Sequence, residues 1–175
     1  MQSSTKLQHG KPTLTMFTDA SIQTRPNRAG WGGWARGDDR NPTWSKGEAS
    51  WHRSSCVVEM EAIAKMLLHT AHSGYMQAMD RHILIQSDSL IALNTLRGAL
   101  GNSYASNRET GAAINPKGVI PKNRDMDDWI EIIRTLTNHC QVVYLRHVYA
   151  HREGVTVRSH VNEMCDRLAK EGANP

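Results

Sequence analysis

The chain is expected to form an α/β domain, a mixed sheet flanked by helices, and three observations lead there. Segments rich in β-forming residues alternate with stretches whose apolar residues recur at helical spacing. The first three β-rich segments are joined by short connections, which link antiparallel neighbours only. After them, helices separate successive strands, the connection that parallel pairing requires.

Residues 13–18 (TLTMFT) read as a first strand ending in Asp19. The polar stretch SIQTRPNRAG then reads as a loop, with Pro26 and Asn27 as turn signals. Residues 31–36 and 44–51 supply two further strands around the turn-rich GDDRNP. From Val57 the period changes. Val57, Met60, Ile63, Ala64, Leu67 and Leu68 recur at helical spacing, with Ser54 and Ser55 as candidate N-caps.

Residues 83–87 form a short apolar strand that ends at Asp88, and Ser89 is placed to cap a helix over 90–96. Residues 98–124 are rich in glycine and polar side chains and take no assignment. An amphipathic helix over 125–136 carries acids in its first turn, where the helix dipole favours them. A last strand spans 141–148. A final helix spans 159–170, with Val161, Met164, Cys165, Leu168 and Ala169 inward.

A chain of 175 residues fits one domain, expected over 13–173 after a flexible segment at 1–12. The first eleven residues are polar and do not resemble a signal peptide. No apolar stretch approaches the roughly 20 residues that span a bilayer. A cytoplasmic location is therefore expected, or wherever the host's nucleic acid is replicated, with no membrane partner. Cys56, Cys140 and Cys165 are odd in number and lack short paired spacing, so free thiols are expected rather than a disulfide framework or zinc knuckle. A net charge of +4 and a pI near 9.1 suit a polyanionic partner.

If the first and fourth strands are adjacent and parallel, Asp19 and Asp88 lie side by side at one end of the sheet. Glu59 is expected in the first turn of its helix and Asp166 within the last helix. Gathered carboxylates repel one another and raise their own pKa values unless a cation neutralises them. Oxygen-only donors favour Mg²⁺ or Mn²⁺. Taken singly, each of these acids is more ordinarily a turn, cap or solvated residue, so spacing leaves the metal site as one reading among others.

The segments FTDAS (17–21), GWGGWA (30–35), VVEMEAIAKML (57–67), ILIQSDS (83–89), VYAH (148–151) and HVNEMCDRLAKEG (160–172) resemble type 1 ribonuclease H, in the expected order. The resemblance covers about residues 13–172 and extends to free-standing enzymes and to domains attached to reverse transcriptases. It implies the ribonuclease H-like fold, a five-stranded mixed sheet of order 3-2-1-4-5 flanked by helices. It also implies hydrolysis of the RNA strand of RNA–DNA hybrids with two Mg²⁺ ions, for which Mn²⁺ substitutes, leaving 5′-phosphate and 3′-hydroxyl ends.

Residue by residue, the resemblance makes Asp19, Glu59, Asp88 and Asp166 the metal-binding carboxylates. His151 becomes the loop histidine that assists water activation or product departure. Asn162 and Glu163 match a supporting pair at the helix start. Glu61, about 200° around the helix from Glu59, is expected at the surface.

A gap-free count puts Arg25, Ser55 with Cys56, and Leu90 where the family often places hybrid-reading asparagines and a glutamine. The expected nucleic-acid contacts are therefore Ser21, Arg25, Asn27 and Ser55. Lys117, Lys122 and Arg124 join them, lying where larger members carry a basic protrusion. Trp129 and most other tryptophans are expected in the core. Two alternatives stay open: a DNA nuclease or junction resolvase of the same fold, and a silent nucleic-acid-binding domain.

Overall fold

A computed structural model describes residues 14–24, 27–37, 43–72, 82–101, 103–107, 124–138, 140, 142–148 and 157–174. They form β1 (Leu14–Thr24), β2 (Asn27–Gly37), β3 (Thr43–Ser50), α1 (Ser55–His72), β4 (His82–Ser87), α2 (Leu90–Ala99), β5 (Ser103–Asn107), α3 (Arg124–Thr137), β6 (Val142–His147) and α4 (Val157–Ala173).

The sheet runs β3-β2-β1-β4-β6-β5. The first three strands are an antiparallel meander, and β4 and β6 join β1 in parallel. The five strands expected from sequence thus take the order 3-2-1-4-5. A sixth, β5, lies inside the stretch that received no assignment and pairs in parallel with β6 at the edge. Its sequence, SYASN, has no apolar alternation, so main-chain pairing to β6 defines it and periodicity does not reveal it.

The supposed loop after Asp19 is also paired. β1 and β2 form one long hairpin from Leu14↔Gly37 to Thr24↔Asn27, which puts Asp19 mid-strand rather than at a strand end. Ladder hydrogen bonds join backbones, so they continue through polar side chains that carry no strand signal.

Two layers of helix cover the sheet, and glycines set how closely. A Cβ at Gly33 would strike the Met66 side chain of α1. A Cβ at the neighbouring Gly32 would strike the backbone of Cys165 and Ala169, because alternate residues face opposite sides. Gly30 and Gly47 likewise face the α4 backbone, so α4 lies against bare strands. The larger core joins Leu14, Met16, Ile83 and Ile85 to apolar residues of α1, α2 and α3. A smaller one, Phe17, Val148, Val161 and Cys165, seats α4.

A side chain caps α2, whereas α1 opens on a backbone bond. The Ser54 carbonyl accepts from the Val58 N–H at 3.0 Å, and Ser89 Oγ accepts from the Ala92 N–H at 3.2 Å. Because α1 begins at Ser55, Glu59 falls in its second turn, not its first. Glu61 is not a surface residue. It is 1% exposed because α1 packs on the sheet and also against α3, and Lys65 pairs with it at 3.3 Å. Cys56, Cys140 and Cys165 are free thiols. No described helix is long and apolar enough to cross a membrane.

Trp31 is fully buried, whereas Trp51 is 71% exposed. Trp129 is half-buried on α3, and its indole N–H donates to His52 Nε2 at 3.0 Å. This bond ties the segment after β3 to α3. His52→Ala is expected to cost about 2 kcal/mol, by removing a buried ring and its hydrogen bond. Thermal denaturation should show Tm falling by roughly 4–8 °C.

Candidate active site

β1 and β4 pair through Thr18↔Ser87, and the next residue on each strand is an aspartate. From there β1 continues with β2 alone, Asp19 opposite Gly32. The aspartates therefore sit where two parallel strands part, beyond the carboxyl end of β4, the place where open α/β sheets bind ligands. Asp88 lies on the bend after β4, and its carbonyl is 3.2 Å from His147 Nε2 of the neighbouring β6.

One carboxylate oxygen from each of Asp19, Glu59 and Asp88 lies within 4.8 Å of the others. Asp19 and Glu59 are each only 5% exposed. The Ala20 N–H donates to Asp19 Oδ1 at 2.9 Å and also hydrogen-bonds Glu59. Ser87 Oγ donates to Glu59 Oε2 at 3.5 Å and accepts from the Ser89 N–H at 3.0 Å. Asp166 reaches across from α4 to hydrogen-bond the Asp19 side chain. Lys170, one helical turn on, donates to Asp166 Oδ2 at 2.8 Å.

Burial, then the charge of Asp88, then Asp166, push Asp19 up to about 8 against the pull of the Ala20 N–H. Burial, followed by the charges of Asp19 and Asp88, holds Glu59 well above the usual carboxylate range. A cluster that clings to protons in this way lacks positive charge. Its donors are all carboxylate oxygens, the set that suits a hard divalent cation.

The other expected site residues are scattered. Ser21 is half-buried on β1, two residues past Asp19 and on the same face. Asn27, Ser55 and Arg124 are exposed at the starts of β2, α1 and α3. Asn162 lies one turn before Asp166 on α4, and its buried Oδ1 accepts no hydrogen bond among the described residues. Glu163 is exposed. Arg25, Lys117, Lys122 and His151 lie outside the described residues. Sequence reading missed Ser87, Lys170 and His147. Lys170 was legible as an i,i+4 partner of Asp166; Ser87 matters through Glu59 of α1 and His147 through the Asp88 carbonyl, contacts that no local spacing marks.

A mixed sheet of this order, with acids gathered where its central parallel strands part, defines the ribonuclease H-like class. The RNase H family model matches residues 11–174, and the chain belongs to the RNase H family: it is a ribonuclease H, a nuclease of the hydrolase class. Enzymes of this family use divalent metal ions. RNase H1 of the halophilic archaeon Halobacterium salinarum is similar at 18% identity and TM-score 0.62, covering 92% of this chain and 97% of its own. LC11-RNase H1, from a compost metagenome and solved with an RNA/DNA hybrid, matches at 15% identity and TM-score 0.63, over 92% and 96%. The RNase H domain of prototype foamy virus matches at 16% and 0.61, over 95% and 98%. No curated protein matches the sequence.

Proposed function

We propose that this ribonuclease H hydrolyses the RNA strand of RNA–DNA hybrids, leaving 5′-phosphate and 3′-hydroxyl ends. The observation that carries this reading is the convergence of Asp19, Glu59 and Asp88, with Asp166 bonded to Asp19. The hybrid held by LC11-RNase H1 supports the choice of substrate.

Asp19, Glu59, Asp88 and Asp166 are the residues to hold two Mg²⁺ ions, or Mn²⁺ in their place. Such ions, when bound, lower the pKa of an attacking water and stabilise the departing 3′-oxygen. Asp19 is central, since it neighbours the other three carboxylates. Ser87 and the Ala20 N–H orient Glu59 and Asp19, and Lys170 neutralises Asp166. His151 assists water activation or product departure, and Asn162 and Glu163 support the helix turn before Asp166. Ser21, Arg25, Asn27, Ser55, Lys117, Lys122 and Arg124 are the residues to contact the hybrid. The site of action follows the substrate: the cytoplasm, or wherever the host's nucleic acid is replicated.

The test offers end-labelled RNA–DNA hybrid, duplex DNA, duplex RNA and a four-way DNA junction to wild type and Asp88→Asn, with Mg²⁺, Mn²⁺ or EDTA. Metal- and Asp88-dependent cleavage of the hybrid's RNA strand is expected. Cleavage of DNA or the junction instead would overturn the substrate, and binding without any cleavage would make the domain silent.

The raised carboxyls also set a pH dependence. Asp19 titrates near 3.8 when unfolded and near 8 when folded, so its stabilising contribution is complete below about pH 4 and lost as pH rises toward 8. The metal-free protein should therefore lose stability across that window. Divalent ions displace the retained protons, so the Tm gain from millimolar Mn²⁺ should grow between pH 6 and pH 8. A gain independent of pH would contradict the site.

A further inference from the structure

The β1–β2 hairpin and the segment after β3 carry a second feature, at the same end of the meander strands as the carboxylates. Arg28 of β2 and Arg53 after β3 line a recess of about 280 Å³, with Ala29, Ala49, Ser50 and Ala173 as its remaining walls. Those walls are small or uncharged, so the two guanidinium groups set its character. No carboxylate pairs with either arginine among the described residues. Arg53 is also held in place. Its Nη1 donates to the Ser50 carbonyl at 3.0 Å and to the His52 carbonyl at 2.9 Å. The rest of its planar fork stays available to an oxyanion.

Between Ser50 and Arg53 stands the exposed Trp51, its ring tilted 37° against that of His52 with centroids 3.8 Å apart. His52 is in turn fixed by the Trp129 bond. One indole face is thus backed by a buried ring, the form of an aromatic platform for sugar or base.

Its position relates the recess to the carboxylates. Asp19 pairs with Gly32 and Gln23 with Arg28, so Arg28 lies four strand residues, about 13 Å, beyond the catalytic position. A nucleic-acid strand advances about 3.4 Å of axis per phosphate, so a strand cleaved at Asp19 brings another phosphate there within about four nucleotides.

We propose that Arg28 and Arg53 form a seat for one backbone phosphate of the substrate strand, flanked by Trp51, outside the cleavage centre. This rests on the hybrid-cleaving reading for its substrate and not for its chemistry, since paired guanidinium groups, that of Arg53 anchored by two carbonyls, recognise any phosphodiester. The seat adds affinity and fixes register, because phosphate contacts position the duplex without reading its sequence.

The experiment measures steady-state cleavage of a 20-base-pair RNA–DNA hybrid, and hybrid binding in Ca²⁺ at several salt concentrations. Wild type is compared with Arg28→Glu, Arg28→Gln/Arg53→Gln and Trp51→Ala. Arg28 is exposed, so Arg28→Glu tests the charge without disturbing the Arg53 hydrogen bonds. KM and Kd should rise about tenfold in Arg28→Glu and in the double variant, with kcat within about twofold of wild type. The slope of log K against log salt should become shallower by about 1 in the double variant, the signature of one lost phosphate contact. Trp51→Ala should weaken binding with an unchanged salt slope. Unchanged KM and salt slope in Arg28→Glu, with wild type cleaving hybrid normally, overturn the seat and leave the cleavage reading intact. If wild type cleaves no hybrid but its binding to hybrid depends on Arg28 in the same way, the seat stands and the cleavage reading falls.

Discussion

Asp19→Asn should abolish cleavage and, at the same time, raise the thermal stability of the metal-free protein. The two effects share one cause. Asp19 sits 5% exposed among Glu59, Asp88 and Asp166, in a place where a negative charge is costly without a cation. Asparagine keeps the oxygen that accepts from the Ala20 N–H while removing the charge. At pH 7 the folded wild type must hold a proton on Asp19 that the unfolded chain has released, so the substitution should stabilise by about 2 kcal/mol. Differential scanning calorimetry in EDTA should show Tm rising by roughly 4–8 °C. With Mg²⁺ present, kcat/KM on a hybrid should fall on the order of 10³-fold or more, about 4 kcal/mol of transition-state stabilisation. Loss of activity with loss of stability would point to a structural role and falsify the assignment of Asp19 as a metal ligand.

Gly32→Ala should be strongly damaging, and Gly33→Ala far milder. The methyl at residue 32 meets the Cys165 carbonyl and the Ala169 backbone, which move only if α4 lifts from the sheet. The methyl at residue 33 meets the Met66 side chain, which can change rotamer at modest cost. Expected losses are about 3 kcal/mol for Gly32→Ala and about 1 kcal/mol for Gly33→Ala, read from urea midpoints. Lifting α4 also carries Asp166 away from Asp19. Per folded molecule, Gly32→Ala should therefore cleave more slowly than Gly33→Ala. Equal losses of stability and rate in the two variants would refute the claim that α4 is seated on backbone.

How legible the molecule was differs from element to element. The α1 and α3 helices and the strands around Ile83–Ile85 and Val143–Leu145 announce themselves, because each buries an apolar pattern of the proper period. The far half of the β1–β2 hairpin and the whole of β5 do not. Their hydrogen bonds run between backbones that carry polar side chains, so nothing local marks them as strand. Glu61 misled for a related reason. Its position around α1 relative to Glu59 suggested solvent, but α1 is packed both by the sheet and by α3, and Glu61 is buried.

By itself the sequence determined the alternation of strands and helices, the order of the five strands and which four acids to watch. Each of these follows from short-range pattern or from ordered motifs along the chain. The tertiary structure alone decided the 4.8 Å convergence of Asp19, Glu59 and Asp88, the seating of Asp166 by bare glycines, and the recess between Arg28 and Arg53. Those residues stand 25 to 147 positions apart. Pairing and packing, rather than any spacing a reader can count, bring them together.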